Sequence, residues 1–246
     1  MEKSKRRKSG FIKGAVIIAA GGFIAKLIGA LYRIPLTNLI GGHGLGLYQM
    51  VYPVYCLLLT VSATGIPSSI AKLTAECIEK GEDSRAVLKT AIKLFLIIGA
   101  IGTVLMCVAA PYLSKVQESS EVKLGYYALA PSVFFVSAIS VFRGWFQGKN
   151  DMLPTAASEV IEQLVKVGFG LFFAYRFQGD IPTAVTFLLL AVTLSELVAL
   201  LFMWLVYRRK RKGIKSEKQG AIRFYRRMKF ILEWKFFWRI ILILST

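Results

Sequence analysis

The chain has 246 residues, 55% of them hydrophobic, with a mean hydropathy of +0.57 and a formal net charge of +18. It is more apolar than an ordinary soluble domain, at about 45–50%, and apolar stretches of about 20 residues recur, the length a helix needs to cross a bilayer. A soluble enzyme and an outer-membrane barrel are thereby excluded, the latter because alternating strand patterns of about ten residues are missing. The basic excess would suggest nucleic acid in a soluble protein, but here it clusters between apolar stretches, where it encodes orientation.

Residues 1–12 form a basic start. The apolar stretch behind them contains Lys26 and lacks a small-residue cleavage pattern, so an uncleaved first span is expected rather than a signal peptide. That span, residues 13–32, is rich in small residues (Gly14, Ala15, Gly21, Gly22, Ala25, Gly29) that let helices approach closely in lipid. Arg33-Ile34-Pro35 closes it. A glycine turn follows at 41–46, with His43 read as a turn residue because no second ligand lies nearby.

The second span covers residues 47–70, with Tyr48, Tyr52 and Tyr55 on one face as packing or interfacial residues. A charged segment at 72–89 leads to the third span, 90–110, and a short exit loop to the fourth, 124–142. A polar, glycine-bounded stretch then carries Arg143, Gly144, Gln147 and Gly148 and is read as a loop and hinge. Pro154 opens the fifth helix, which runs to about 175. The sixth span occupies 182–207 and carries Glu196 near its middle. The stretch 208–246 is basic and aromatic, either an interfacial segment on an anionic leaflet or a solvated linker. Its last apolar run is too short to span and reads as a truncated seventh span. The expected organisation is a basic tail, 1–12, a six-span all-α lobe, 13–207, and a basic segment, 208–246.

Lys and Arg follow the same plan. Nearly all lie in the N-terminal tail, the 72–93 segment, the central stretch and the C-terminal segment, against Arg33, Lys115, Lys123 and Arg176 on the other side. This asymmetry predicts a multi-pass protein of the inner (plasma) membrane with both ends cytoplasmic.

Four ionisable residues fall well inside spans: Lys26, Glu162, Lys166 and Glu196. Lys166 lies about 18 Å beyond Pro154 along its helix, near the bilayer midplane. Each such charge costs about 2.5–3.5 kcal/mol on insertion scales. Glu159, Glu162, Gln163 and Lys166 recur at i, i+3, i+4, i+7 and share one helical face. One reading is local neutralisation, Glu162 with Lys166 at i, i+4 and Lys26 with Glu196 between helices. The other is a hydrated cavity that receives an ionic headgroup or a coupling ion.

Cys56, Cys77 and Cys107 are scattered, so neither a disulfide framework nor a metal site is expected. No paired-base serine, metal-spaced His or Cys cluster or phosphate loop occurs, so neither enzymatic activity nor a cofactor is expected.

Several stretches together carry a resemblance. They are Gly44-x-Gly46-Leu47-Tyr48-Gln49, Ala63-Thr64-Gly65-Ile66-Pro67-Ser68-Ser69, Arg143-Gly144-Trp145-Phe146-Gln147-Gly148, Met152-x-Pro154-Thr155-Ala156, and Glu162-Gln163-x-x-Lys166. Between about residues 14 and 207 the chain resembles the stage V sporulation protein B group, in the polysaccharide flippase branch of the multidrug/oligosaccharidyl-lipid/polysaccharide exporter superfamily. The resemblance implies a lobe of six helices, two such lobes facing across a central cavity, and alternating access. It implies lipid-linked cell-wall precursors as cargo, for peptidoglycan or spore cortex. Lys26 falls where lipid II flippases carry a basic first-helix residue, and Arg33 lies one position from a second such site. A basic residue common in the family's second helix is replaced here by Leu57-Leu58-Leu59. The family has twelve or more helices, whereas this chain covers one lobe and a stub, so it is read as a fragment, a truncated gene product or half of a dimer, to be completed by a second lobe or a homodimer partner.

The expected function is a flippase lobe. Lys26 and Arg33 would attract pyrophosphate, Glu162, Gln163, Lys166 and Glu196 would line the cavity, and the partners would be a lipid-linked saccharide and membrane lipids, not nucleic acid. The alternatives are a cation-coupled multidrug exporter of the same superfamily and a non-transporting membrane scaffold for cell-wall synthesis.

Overall fold

The computed structural model describes the backbone of residues 2–63 and 65–210, and the side chains of residues 13–60 and 65–210. Among these the fold is all-α: α1 (Glu2–Ala63), α2 (Ile66–Glu79), α3 (Ser84–Val116), α4 (Val122–Gly148), α5 (Leu153–Arg176) and α6 (Ile181–Lys210). Four of them, α1, α3, α4 and α6, are long and apolar enough to cross a membrane. Helix α5, with Glu159, Glu162 and Lys166 inside it, is less apolar, yet its 24 residues give about 36 Å of length, enough for the hydrocarbon layer. The proposed seventh span lies outside the described residues.

The first two expected spans are one run of helix broken at a single residue. Gly41, at φ 66 and ψ −174, leaves helical geometry in a conformation that a Cβ would strain. The neighbours of each arm show that the chain reverses there. Before Gly41, Gly14, Gly21, Gly29 and Tyr32 meet Met152, Ala156, Gln163 and Gly170, in ascending order along α5. After it, Val51, Pro67 and Thr74 meet Gly125, Gly144 and Gly148, in ascending order along α4. The expected second span stops short, at Ala63. The chain restarts as α2 after Gly65, whose φ of 88 again needs glycine, with Pro67 early in the new helix, where its missing N–H costs nothing.

Local chemistry ends the other helices. Asp83 caps α3, its carboxylate accepting the Arg85 N–H at 2.9 Å. Asn150 takes the left-handed turn between α4 and α5 at φ 62. Asp180 accepts the Thr183 backbone N–H at 3.2 Å and the Thr183 hydroxyl at 2.6 Å, opening α6.

Helix α4 lies at the centre, and the interior divides into two apolar clusters along it. Near the Gly41 end, Leu36, Val51, Tyr126, Leu129, Val133, Leu188 and Val192 pack together. Near the Gly148 end, Ile70, Leu88, Phe95, Phe142, Trp145, Phe146 and Met203 do so. Trp145 is fully buried, donates its indole N–H to the Ser84 carbonyl at 3.1 Å and meets Tyr207 edge-on.

One expectation needs correcting. Arg143, Gly144, Gln147 and Gly148 are not in a loop; they form the last turns of α4, and the connection to α5 is only residues 149–152. The glycines that suggested a loop serve packing instead. A Cβ on Gly144 would sit 2.6 Å from the Pro67 carbonyl oxygen, and one on Gly148 would sit 2.5 Å from that of Ala71. In lipid, where apolar burial alone drives little association, such small-residue contacts set how closely helices pack.

Candidate functional site

Alongside the two apolar clusters, buried polar side chains gather on α4, α5 and α6. Most of their hydroxyls close on their own helix, as Ser137 does on the Val133 carbonyl (2.8 Å), Ser158 on that of Thr155 (2.7 Å) and Ser195 on that of Val192 (2.7 Å). The charged members do not close locally, and they define the site.

Arg143 of α4 reaches across to α5. Its Nε donates to Ser158 Oγ at 2.9 Å and its Nη2 to Glu162 Oε2 at 2.9 Å. Both partners of this ion pair are largely buried, with side chains 16% and 15% exposed. Glu162 is therefore neutralised by Arg143, not by Lys166 one turn along, and the loop position expected for Arg143 becomes a tie between helices. Pro154, buried at the start of α5, pins the turn that sets this pairing.

The polar face of α5 splits. Glu159 and Gln163 point toward the first arm of α1, where Gly22 and Gly29 leave them room. Lys26 and Arg143 both lie within electrostatic reach of Glu159. Lys166, half-buried, lies within electrostatic reach of Cys56 and Glu196 on the other side. Lys26 and Arg33 sit on the exposed face of the first arm, and among the described residues neither they nor Lys166 form an ion pair.

Glu196 of α6, expected to line a cavity, lies among the packed helices of the lobe. It is 5% exposed. The Tyr55 hydroxyl donates to its Oε1 at a long 3.5 Å, and its Oε2 has no hydrogen-bond partner. The inter-helix pair of Lys26 with Glu196 does not form. Tyr55, Ser158 and the role of Arg143 were missed. Of these, only Tyr55 had a signal, since it ends a run of three tyrosines on one face, with Tyr48 stacked on Tyr52 (5.1 Å) and Tyr52 tilted against Tyr55 (5.7 Å).

This is the architecture of a multi-pass helical membrane protein with a buried ion pair between helices and a basic face that has no ion-pair partner among the described residues. Comparison with known proteins gives it a family. The chain belongs to the polysaccharide biosynthesis protein family, whose model matches residues 11–234. It is 31% identical over 219 residues to stage V sporulation protein B of Bacillus subtilis (strain 168), covering 86% of this chain and 41% of that one. It is 28% identical over 220 residues to lipid II flippase MurJ of the same organism, covering 83% and 40%. The chain thus spans about two fifths of the length of the curated relatives it matches.

Solved structures share the fold. A transporter of the superfamily from Pyrococcus furiosus superposes with a TM-score of 0.68 at 19% identity, over 84% of this chain and 47% of that one. A MATE transporter bound to MaD5 does so with a TM-score of 0.70 at 18% identity, over 86% and 49%.

Proposed function

We propose that the chain forms one lobe of a flippase for lipid-linked cell-wall precursors, and that Lys26 and Arg33 receive the anionic pyrophosphate of the cargo. One observation carries this reading. Two cations seven residues apart share the bare face of an otherwise apolar helix, about 10 Å apart along its axis, and neither has an ion-pair partner among the described residues. At membrane depth an unpartnered cation costs about 2.5–3.5 kcal/mol, so such a face favours water and an anion over acyl chains.

The name of the lipid II flippase relative supports a lipid-linked cargo, and the asymmetry of Lys and Arg supports a plasma-membrane orientation with both ends cytoplasmic. In this reading the bare face looks onto a second lobe or a second copy of the chain, with the cargo between. Phe23, Leu27, Leu31 and Ile34, exposed on the same arm, would complete that contact.

The MATE-like fold favours a second reading, a cation-coupled exporter, in which Glu159 and Glu162 would meet a cationic cargo. Binding separates the two. With the chain in lipid nanodiscs, K26Q/R33Q is expected to weaken capture of a lipid-linked pyrophosphate saccharide at least tenfold, about 1.4 kcal/mol, and K26R/R33K to restore it. Unchanged affinity in K26Q/R33Q would reject the assignment, and tighter binding of an organic cation by that variant would favour the exporter.

A further inference from the structure

Glu196 is not used by the cargo face, and its surroundings are unusual. It lies on α6 where the two apolar clusters meet, between Val192 of one and Met203 of the other. The groups that face it are Tyr55 and Tyr52 from α1, Arg143 from α4, and Glu162 and Lys166 from α5. Two observations bear on its state. A hydroxyl bound to an ionised carboxylate sits at about 2.5–2.7 Å, whereas Tyr55 stands 3.5 Å from Oε1. An ionised carboxylate this buried costs far more without partners than the neutral acid does, and here Oε2 has no hydrogen-bond partner of either kind while the Arg143 guanidinium is committed to Glu162 and Ser158.

We infer that Glu196 is a proton-binding site, occupied in this conformation, with the proton on Oε2 and Oε1 accepting from Tyr55. Release requires the helices to part so that Oε2, closed off from solvent in this conformation, meets water: the proton then passes to that water, and the carboxylate left behind competes with Glu162 for Arg143. Because Arg143 ties α4 to α5, unloading the site loosens that tie and moves the α5 face toward α6. The ligand is a proton and not a metal ion, since a single carboxylate and one hydroxyl make too few oxygen ligands for a hard cation, and among the described residues no cluster of metal-binding side chains occurs. The inference rests on packing within the lobe and not on the cargo.

Infrared spectroscopy of the chain in bilayers tests it directly. At neutral pH the wild type should show the carbonyl stretch of a protonated carboxylic acid. E196Q should lack it, and Y55F should keep it with a shifted frequency. E196Q, isosteric with the neutral acid, should melt at or above the wild-type temperature. The inference is overturned if the band is missing from the wild type or survives in E196Q, or if sodium removes it at constant pH. Failure of E196Q to fold would also overturn it, because a site that needs an ionised carboxylate is not a loaded proton site. Retention of the band in K26Q/R33Q would show that the proton site stands whatever becomes of the cargo assignment.

Discussion

The two arms of α1 have similar hydropathy and opposite surroundings. After Gly41, Leu47, Val51 and Tyr55 are buried against α4 and α6, inside the larger apolar cluster. Before it, Val16, Ile17, Phe23, Ile24, Leu27, Leu31 and Ile34 are exposed; Leu36 and Ile40 join that cluster only next to the turn, and further back the arm meets α5 closely at Gly21 and Gly29. Apolar composition places both arms in a bilayer but does not say whether a face meets protein or lipid, since a lipid tail is as apolar as leucine. Small residues and charges say that. The first arm shows glycines to α5 and Lys26 and Arg33 away from it, as expected of a surface that is completed by something else.

The difference predicts unequal damage. The largest effect is expected where the second arm continues into α2. Gly144→Val would push a branched side chain against the Pro67 backbone, 2.6 Å from its carbonyl oxygen and 2.8 Å from its Cα, with Ile70 at 2.9 Å. Backbone cannot step aside as a side-chain tip does, so a loss of about 3 kcal/mol is expected, read as a lower melting temperature in detergent and loss of the whole lobe.

A smaller and more local effect is expected on the first arm. A Cβ at Gly21 would lie 2.6 Å from Ala156 Cβ and 3.0 Å from its Cα, so Gly21→Val should cost about 1–2 kcal/mol. Because this arm rests mainly on α5, the lobe should stay folded while the arm lifts. Limited proteolysis should then cut near the Gly41 turn, with α3, α4 and α6 still protected. Wholesale unfolding of this variant would mean that the two arms are equally integral, and the comparison would break.

How far the sequence shows this depends on the separation of the partners. The spans, the small residues of the first arm and the reversal near Gly41 are local and legible, because glycine spacing and hydropathy act within a few turns. The partner of Glu162 was not legible. Its i, i+4 neighbour Lys166 is the local guess, but Arg143, 19 positions back, wins because the tight turn at Asn150 folds α5 onto α4. Tyr55 and Glu196, 141 positions apart, meet only once the second arm and α6 are packed. The stretch 143–148 was misread for a related reason. A glycine that admits a neighbouring backbone and a glycine that breaks a helix look alike until the neighbour is known.

The smallest effect is expected at the turn that supports the start of the second arm. Ile181, the first residue of α6, approaches Gly44 just past the reversal, and Asp180 before it holds the helix end. The Thr183 hydroxyl and backbone N–H, both donating to the Asp180 carboxylate, hold its pKa below the usual aspartate value. A depressed carboxylate contributes stability that is present above its unfolded pKa and is lost as pH falls through the lower folded value. Asp180→Ala should therefore melt slightly below the wild type at neutral pH, and the difference should vanish in acid below the carboxylate range. Salt should leave the difference unchanged, because what disappears is a pair of local hydrogen bonds and not a long-range attraction. A difference that persists in acid would place the support of this turn elsewhere, in the Gly44–Ile181 contact itself. The second arm would then be held at its start by the same close glycine packing that holds the first.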